Sequence, residues 1–156
     1  MEKVSDKLLG ELKQQRPFHS IQEEGVVALM KTVDYLRRSS QEVLQSYDIT
    51  LQQYNVLRIL RGAGDKGLPV LEIAERMVEH SPGITRLIDR LCKKELVKRE
   101  RSEEDRRQIQ VLLSKKGKKL VNDLDDPMDQ TNRALLQNLG EDEIQQLISF
   151  LDKIRE

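Results

Sequence analysis

The chain has 156 residues, 27 of them basic and 27 acidic, with 37% apolar and 35% charged side chains and a formal net charge of zero. That length suits one domain or two small interlocked pieces, and so thin an apolar share points to elongated helices or to a core completed by a second copy. The longest apolar run is Val26–Met30, the start MEKVSDKLLGELK lacks an apolar leader, and Cys92 is the single cysteine. No membrane span, secretory signal, disulfide framework or multi-cysteine zinc site is therefore expected, and the cytoplasm is the expected compartment.

In chain order, Val4, Leu8 and Leu12 give a short helix-like segment before Pro17. From Ile21 to Tyr47 apolar residues recur at threes and fours (Val26, Leu29, Met30, Val33, Leu36, Val43, Leu44), which predicts one long amphipathic helix. Thr50 is a suitable cap for a helix carrying Leu51, Tyr54, Leu57 and Leu60, ended by the loop GAGDKG. A short helix follows Pro69, over Val70–Met77, with Ile73 and Ala74 inward. Ser81 is a good N-cap with Pro82 at the first helical position. That predicts a helix over about 81–94, with Ile84, Leu87, Ile88, Leu91 and Cys92 on one stripe and Thr85, Arg86, Asp89, Arg90 and Lys93 off it.

The period then changes. Two short strands, within about 96–113, flank a charged link from Ser102 to Arg107, so a protruding hairpin is predicted. Helical spacing resumes after Ser114 through Leu120, Leu124, Met128, Leu135 and Leu139. Pro127 is expected to kink or break it, with Asp126 as a new cap. After Gly140 the last amphipathic helix carries Ile144, Leu147, Ile148, Leu151 and Ile154. The fold expected is mainly α with a small β-hairpin.

The zero net charge is a cancellation. Residues 1–80 carry 11 basic and 12 acidic groups, residues 81–119 carry 13 and 6 (net +7), and residues 120–156 carry 3 and 9 (net −6). A compact basic segment is a reason to expect a polyanion partner, although charge alone favours a solvated charged face. The element order helix–helix–helix–strand–link–strand describes a winged helix-turn-helix. The helix starting near Ser81 would enter a major groove with Arg86 and Arg90 one turn apart on one face. Arg106 and Arg107 on the link would probe a minor groove. Lys115, Lys116, Lys118 and Lys119 crowd a helix start, where cations are unfavourable unless phosphate compensates. No nucleophile–base, paired-carboxylate or phosphate-loop pattern points to an enzyme. The other class open to such a chain is a winged-helix module used only for protein contacts.

At these residues the chain resembles the MarR (multiple antibiotic resistance regulator) family. The family's wing pattern D-x-R-x-x-x-V-x-L-T-x-x-G is matched from Asp105 through Arg107, Val111 and Leu113 to Gly117, with Ser114 in place of threonine. SPGITRLIDRLCKKELVKRE is similar to the family's recognition segment. Two departures stand out: Glu95 occupies the place of the glycine that ends the recognition helix in a left-handed turn, and Pro69 the place of a polar cap.

The resemblance implies a homodimeric, cytoplasmic, nucleoid-associated bacterial or archaeal repressor of a pseudo-palindromic site in double-stranded DNA. Residues 1–47 and 118–156 would supply dimerisation helices and 48–117 the DNA-binding lobe. It implies major-groove contacts by Ser81, Thr85, Arg86 and Arg90, a wing carrying Arg106 and Arg107 with Asp105 orienting Arg107 by an ion pair, and phosphate contacts by Lys115 and Lys116. No cofactor or metal is expected. Release by a small aromatic ligand follows by analogy. Phe18, His19, Tyr35 and Tyr54 are candidates to line its pocket, although packing is the simpler role for each. Cys92 lies on the apolar stripe and reads as a core thiol rather than a redox switch.

Overall fold

The computed structural model describes residues 6–102, 105 and 107–156. The chain divides into two compact units, Met1–Ser39 and Ser40–Glu156. The first holds α1 (Asp6–Glu11) and most of α2 (Ile21–Gln45). The Ser20 hydroxyl accepts the Glu23 amide and the Glu23 carboxylate accepts the His19 amide, at 3.1 and 2.7 Å. The first uses an orphan donor in the opening turn of α2 and the second ties that turn to the residue ahead of Ser20, which fixes where the helix begins. Along α2, Ile21, Val26, Met30 and Val33 stay exposed.

In the second unit α2 ends with Leu44 fully buried. The Gln41 amide ties the corner that follows, donating to the Ile49 carbonyl and accepting from the Leu51 amide, at 3.1 and 2.9 Å. Thr50 caps α3 (Leu51–Ala63) in a reciprocal box with Gln53, as its position in the sequence predicts. Val56, Leu57 and Leu60 from α3 meet Ile73 of α4 (Val70–Arg76) and Leu87, Ile88 and Leu91 of α5 (Ile84–Lys93) in one core. Each such large side chain contributes about 1.5–3 kcal/mol by leaving water. A 3-10 turn over Gly64–Lys66 and Gly67, at φ +65°, carry the chain to Leu68, which pairs with Val111 through two backbone hydrogen bonds.

Strands β1 (Val97–Arg101) and β2 (Ile109–Leu113) form the expected antiparallel hairpin, with Val97 opposite Leu113 and Arg101 opposite Ile109. Ser114 caps α6 (Lys115–Asp123) by accepting the Gly117 amide. Gly117 is required by close approach, because a Cβ there would lie 1.9 Å from the Leu96 carbonyl oxygen. Helices α7 (Asp125–Leu135) and α8 (Glu141–Ile154) complete the chain.

Two boundaries differ from expectation. The helix predicted from Ser81 begins at Ile84: Ser81–Ile84 is a turn closed by the Ile84 amide on the Ser81 carbonyl, and Gly83 takes the N-cap position without a side-chain cap. Pro-Gly suits the centre of a turn as well as Ser-Pro suits a helix start, and the turn prevails. The break expected at Pro127 falls earlier, at Leu124, which ends α6 and starts α7. Asp126 and Pro127 sit in the first turn of α7, where proline's missing donor leaves nothing unpaired.

Candidate nucleic-acid interface

Helix α5 is strongly two-faced. Ile84, Leu87, Ile88 and Leu91 are buried, with Cys92 half-buried against the same core. Thr85, Arg86 and Arg90 are exposed on the opposite side, and Ser81 is half-buried in the turn ahead of the helix. Among the described residues neither Arg86 nor Arg90 has an ion-pair partner: Asp89, the obvious intrahelical rival, is taken by Arg99 of β1 at 2.7 Å. That pair ties the outer edge of α5 to the first strand of the hairpin, and periodicity alone did not single it out. The signal available was a basic residue on the short strand ten positions after an aspartate off the apolar stripe. The turn between α4 and α5 is braced from α3, where the Asn55 side chain accepts the Val78 amide at 3.0 Å.

Glu95 follows Lys94 in the left-handed region, at φ +61°. Its amide bonds to the Cys92 carbonyl and the Leu96 amide reaches back to the Leu91 carbonyl, at 2.9 and 3.0 Å. This is the Schellman geometry that a glycine would adopt, so the departure from the family pattern leaves the joint unchanged and adds backbone strain. Pro69 likewise serves as N-cap of α4 through its carbonyl, which accepts the Ile73 amide.

At the hairpin link, the Ser102 amide bonds to the Gln108 carbonyl and the Gln108 amide to the Asp105 carbonyl. Asp105 orients Arg107 through the backbone: its carboxylate accepts the Arg107 amide at 3.0 Å, a local Asx turn in place of the expected ion pair. The Arg107 side chain is exposed. Arg106 lies outside the described residues. Of the two lysines expected at phosphates, Lys115 is exposed. Lys116 donates to the Lys94 carbonyl at 2.9 Å and lies 3.8 Å from the Glu95 carboxylate, which satisfies the C-terminal end of α5.

The lobe is joined to its C-terminal helices by Arg61 of α3, whose guanidinium forks onto the Asp125 carboxylate at 2.8 and 2.9 Å and also reaches Asn122. The hydrogen bond from Arg61 holds the Asp125 carboxyl below its ordinary range and the guanidinium above its own. Beside this pair, burial pushes the Tyr54 hydroxyl up, partly offset by Arg58, whose guanidinium stands 5.9 Å from the ring centre. Among the described residues no cluster of three or more histidine, cysteine or acidic side chains could hold a metal ion, and no helix is long and apolar enough to cross a membrane.

Comparison with known proteins agrees with this arrangement. Residues 38–124 match the family model of the transcriptional regulator SarA/Rot. The chain is 42% identical over 77 residues to the HTH-type transcriptional regulator YfiV of Bacillus subtilis (strain 168), spanning 49% of this chain and about half (47%) of that protein. The crystal structure of a MarR transcription factor from Planctomyces limnophilus is 38% identical, covering 87% of this chain and 98% of its own, with a TM-score of 0.66. The structure of the S. aureus MepR–DNA complex is 26% identical, covering 81% and 93%, with a TM-score of 0.72. The chain therefore belongs to the SarA/Rot family of transcriptional regulators, of the MarR winged helix-turn-helix type, and is a regulator rather than an enzyme.

Proposed function

We propose that the chain works as a homodimeric repressor in the cytoplasm, docking two α5 helices into successive major grooves of a pseudo-palindromic operator about 34–36 Å apart. The observation that carries this reading is the pair of exposed guanidiniums, Arg86 and Arg90, one turn apart on a helix whose other face is anchored in the core. Arginine forks at that spacing read guanine edges or clamp phosphates. Ser81 and Thr85 stand at the leading end of the same face. Arg107, with Arg106 beside it in sequence, extends the contact to the minor groove. Lys115 takes a phosphate as it stands, whereas Lys116 would first have to leave the Lys94 carbonyl.

The partner in the dimer is a second copy of this chain. Exposed Val26, Met30 and Val33 on α2, and α8 with no buried residue at all, each present an apolar stripe that no other element covers among the described residues. Release by a small aromatic ligand has support in a cavity of about 210 Å³ within the second unit, lined by Tyr54, Arg58, Met77, Val78 and Met128. Of the four residues named from sequence, Tyr54 alone lines it. A flat ring against Tyr54 and Arg58 would press on Met77 and Val78, the turn that sets α5 relative to α3.

The test is a titration of the purified protein with operator-bearing and random duplexes against salt. The expected result is tight operator binding whose logarithm falls steeply with that of salt, about 0.9 per phosphate neutralised. Arg86→Ala should cost about 1–3 kcal/mol on the operator and relax preference at one base pair, whereas Lys115→Ala should weaken all duplexes alike and reduce the salt slope by about one. Absence of duplex binding at low salt would refute the reading and leave a module for protein contacts.

A further inference from the structure

The DNA-binding lobe hands over to the C-terminal helices at one residue, Leu124, which closes α6 and opens α7. The backbone ladder is incomplete there, because Pro127 has no amide to offer the Asp123 carbonyl. Two apolar anchors, Leu124 and Met128, seat the start of α7 in the core, and Met128 is the one buried residue within that helix. Lying one turn apart on a single face, they fix a line of contact and leave α7 able to swing about it.

Arg61 of α3 supplies a third point. Its Nη1 donates to the Val121 carbonyl at 3.4 Å, to Asn122 Oδ1 at 3.1 Å and to Asp125 Oδ2 at 2.8 Å, and its Nη2 donates to Asp125 Oδ1 at 2.9 Å. Val121 and Asn122 lie before the bend and Asp125 after it, so one guanidinium holds both sides. A planar fork fixes direction as well as distance, which a lone ammonium does not. Part-exposed as both side chains are, the pair adds little to stability, and geometry is what it supplies.

Small angles count at this joint. Helix α7 has 11 residues and is about 16 Å long, so a swing of about 10° moves its far end by about 3 Å, close to the rise of one base pair. Helix α8, which buries no residue of its own, follows that end. In two symmetric copies the displacement enters twice, once for each lobe.

We infer that Arg61 is the positioning residue that sets how far apart the two half-sites of an operator must lie, by holding α7 at one angle to the lobe. This rests on the proposed homodimer, with α8 in its seam.

The test begins by recovering the half-site from random duplexes with the full-length protein. Pairs of that half-site are then placed at separations differing by single base pairs, beside a duplex that carries one half-site alone. The parent should favour one separation about tenfold over its neighbours, since a misplaced second half-site forfeits the effective concentration of a joined pair. Arg61→Lys, which keeps the charge and loses the fork, should cut that preference about fivefold while binding the single half-site as the parent does. Asp125→Asn, an exposed change on the far side of the bend, should do the same and decides the matter if Arg61→Lys folds poorly. Both should sediment as the parent does. A preference as sharp as the parent's in a folded variant overturns the inference alone. So does uniform weakening on every duplex, the single half-site included, which a purely structural role would give. A parent that binds all separations alike, or selects no half-site, overturns the inference together with the homodimeric reading beneath it.

Discussion

Single residues explain why this sequence keeps the family's geometry while departing from its pattern. Glu95 ends α5 in the left-handed conformation, where an L side chain costs about 1–2 kcal/mol relative to right-handed backbone. The structure offsets that cost through the Schellman hydrogen bonds and through the Glu95 carbonyl, which accepts the Ser114 hydroxyl at 2.6 Å. Its side chain contributes little, being largely exposed and 3.8 Å from Lys116. Glu95→Gly should therefore stabilise the chain by about 0.5–1 kcal/mol once the extra freedom of unfolded glycine is deducted. A higher urea midpoint with an unchanged slope is the expected reading, and a lower midpoint would mean that the Glu95 side chain matters more than its backbone strain.

Elements were legible in the sequence wherever their determinants are local. Thr50 with Gln53, and Ser114 with the Gly117 amide, cap the helices they precede in sequence, and the change from period 3.6 to short apolar strands marked the hairpin. The start of α5 was not legible, because Ser81-Pro82-Gly83 satisfies two local rules and only packing of Ile84 into the core decides between them. Asp89–Arg99 and the cavity beside Tyr54 join separate elements, which no spacing along the chain displays. Arg61–Asp125, linking α3 to α7 across 64 positions, is of the same kind. It carries a pH signature. Because Arg61 lowers the Asp125 carboxyl below 3.8 in the folded chain, its contribution to stability is complete at neutral pH, begins to fall as pH approaches 3.8, and is lost once pH passes below the lowered value. Both side chains are part-exposed, so the effect is modest. Asp125→Asn should lower the urea midpoint at pH 7, and the gap to the parent should close as pH drops through that range. A gap independent of pH would show that shape and hydrogen bonding, rather than charge, make the link.

At the scale of the whole molecule, the net charge of zero separates into jobs. The +7 of residues 81–119 gathers on α5, the hairpin and the start of α6, whereas the −6 of residues 120–156 falls on helices that gain nothing from phosphates. Those C-terminal helices end in α8, which buries no residue yet leaves Ile148, Phe150 and Ile154 between 53% and 64% exposed. A 14-residue amphipathic helix is marginal in water by itself and depends on packing for its stability. A second copy supplies that packing in the proposed homodimer, so folding and assembly should be linked and the melting temperature should rise with protein concentration. Replacing Ile148 and Phe150 together by glutamate should convert the dimer to a less stable monomer by sedimentation and remove the concentration dependence. It should also weaken operator binding by about 10²–10⁴-fold, because each lobe then binds its half-site alone, without the effective concentration that a joined pair provides. Arg86→Ala should stay dimeric and keep the concentration dependence while losing base preference, which separates the two roles. If the doubly substituted chain still sediments as a dimer, α8 is not part of the seam, and the exposed stripe of α2 becomes the surface to alter.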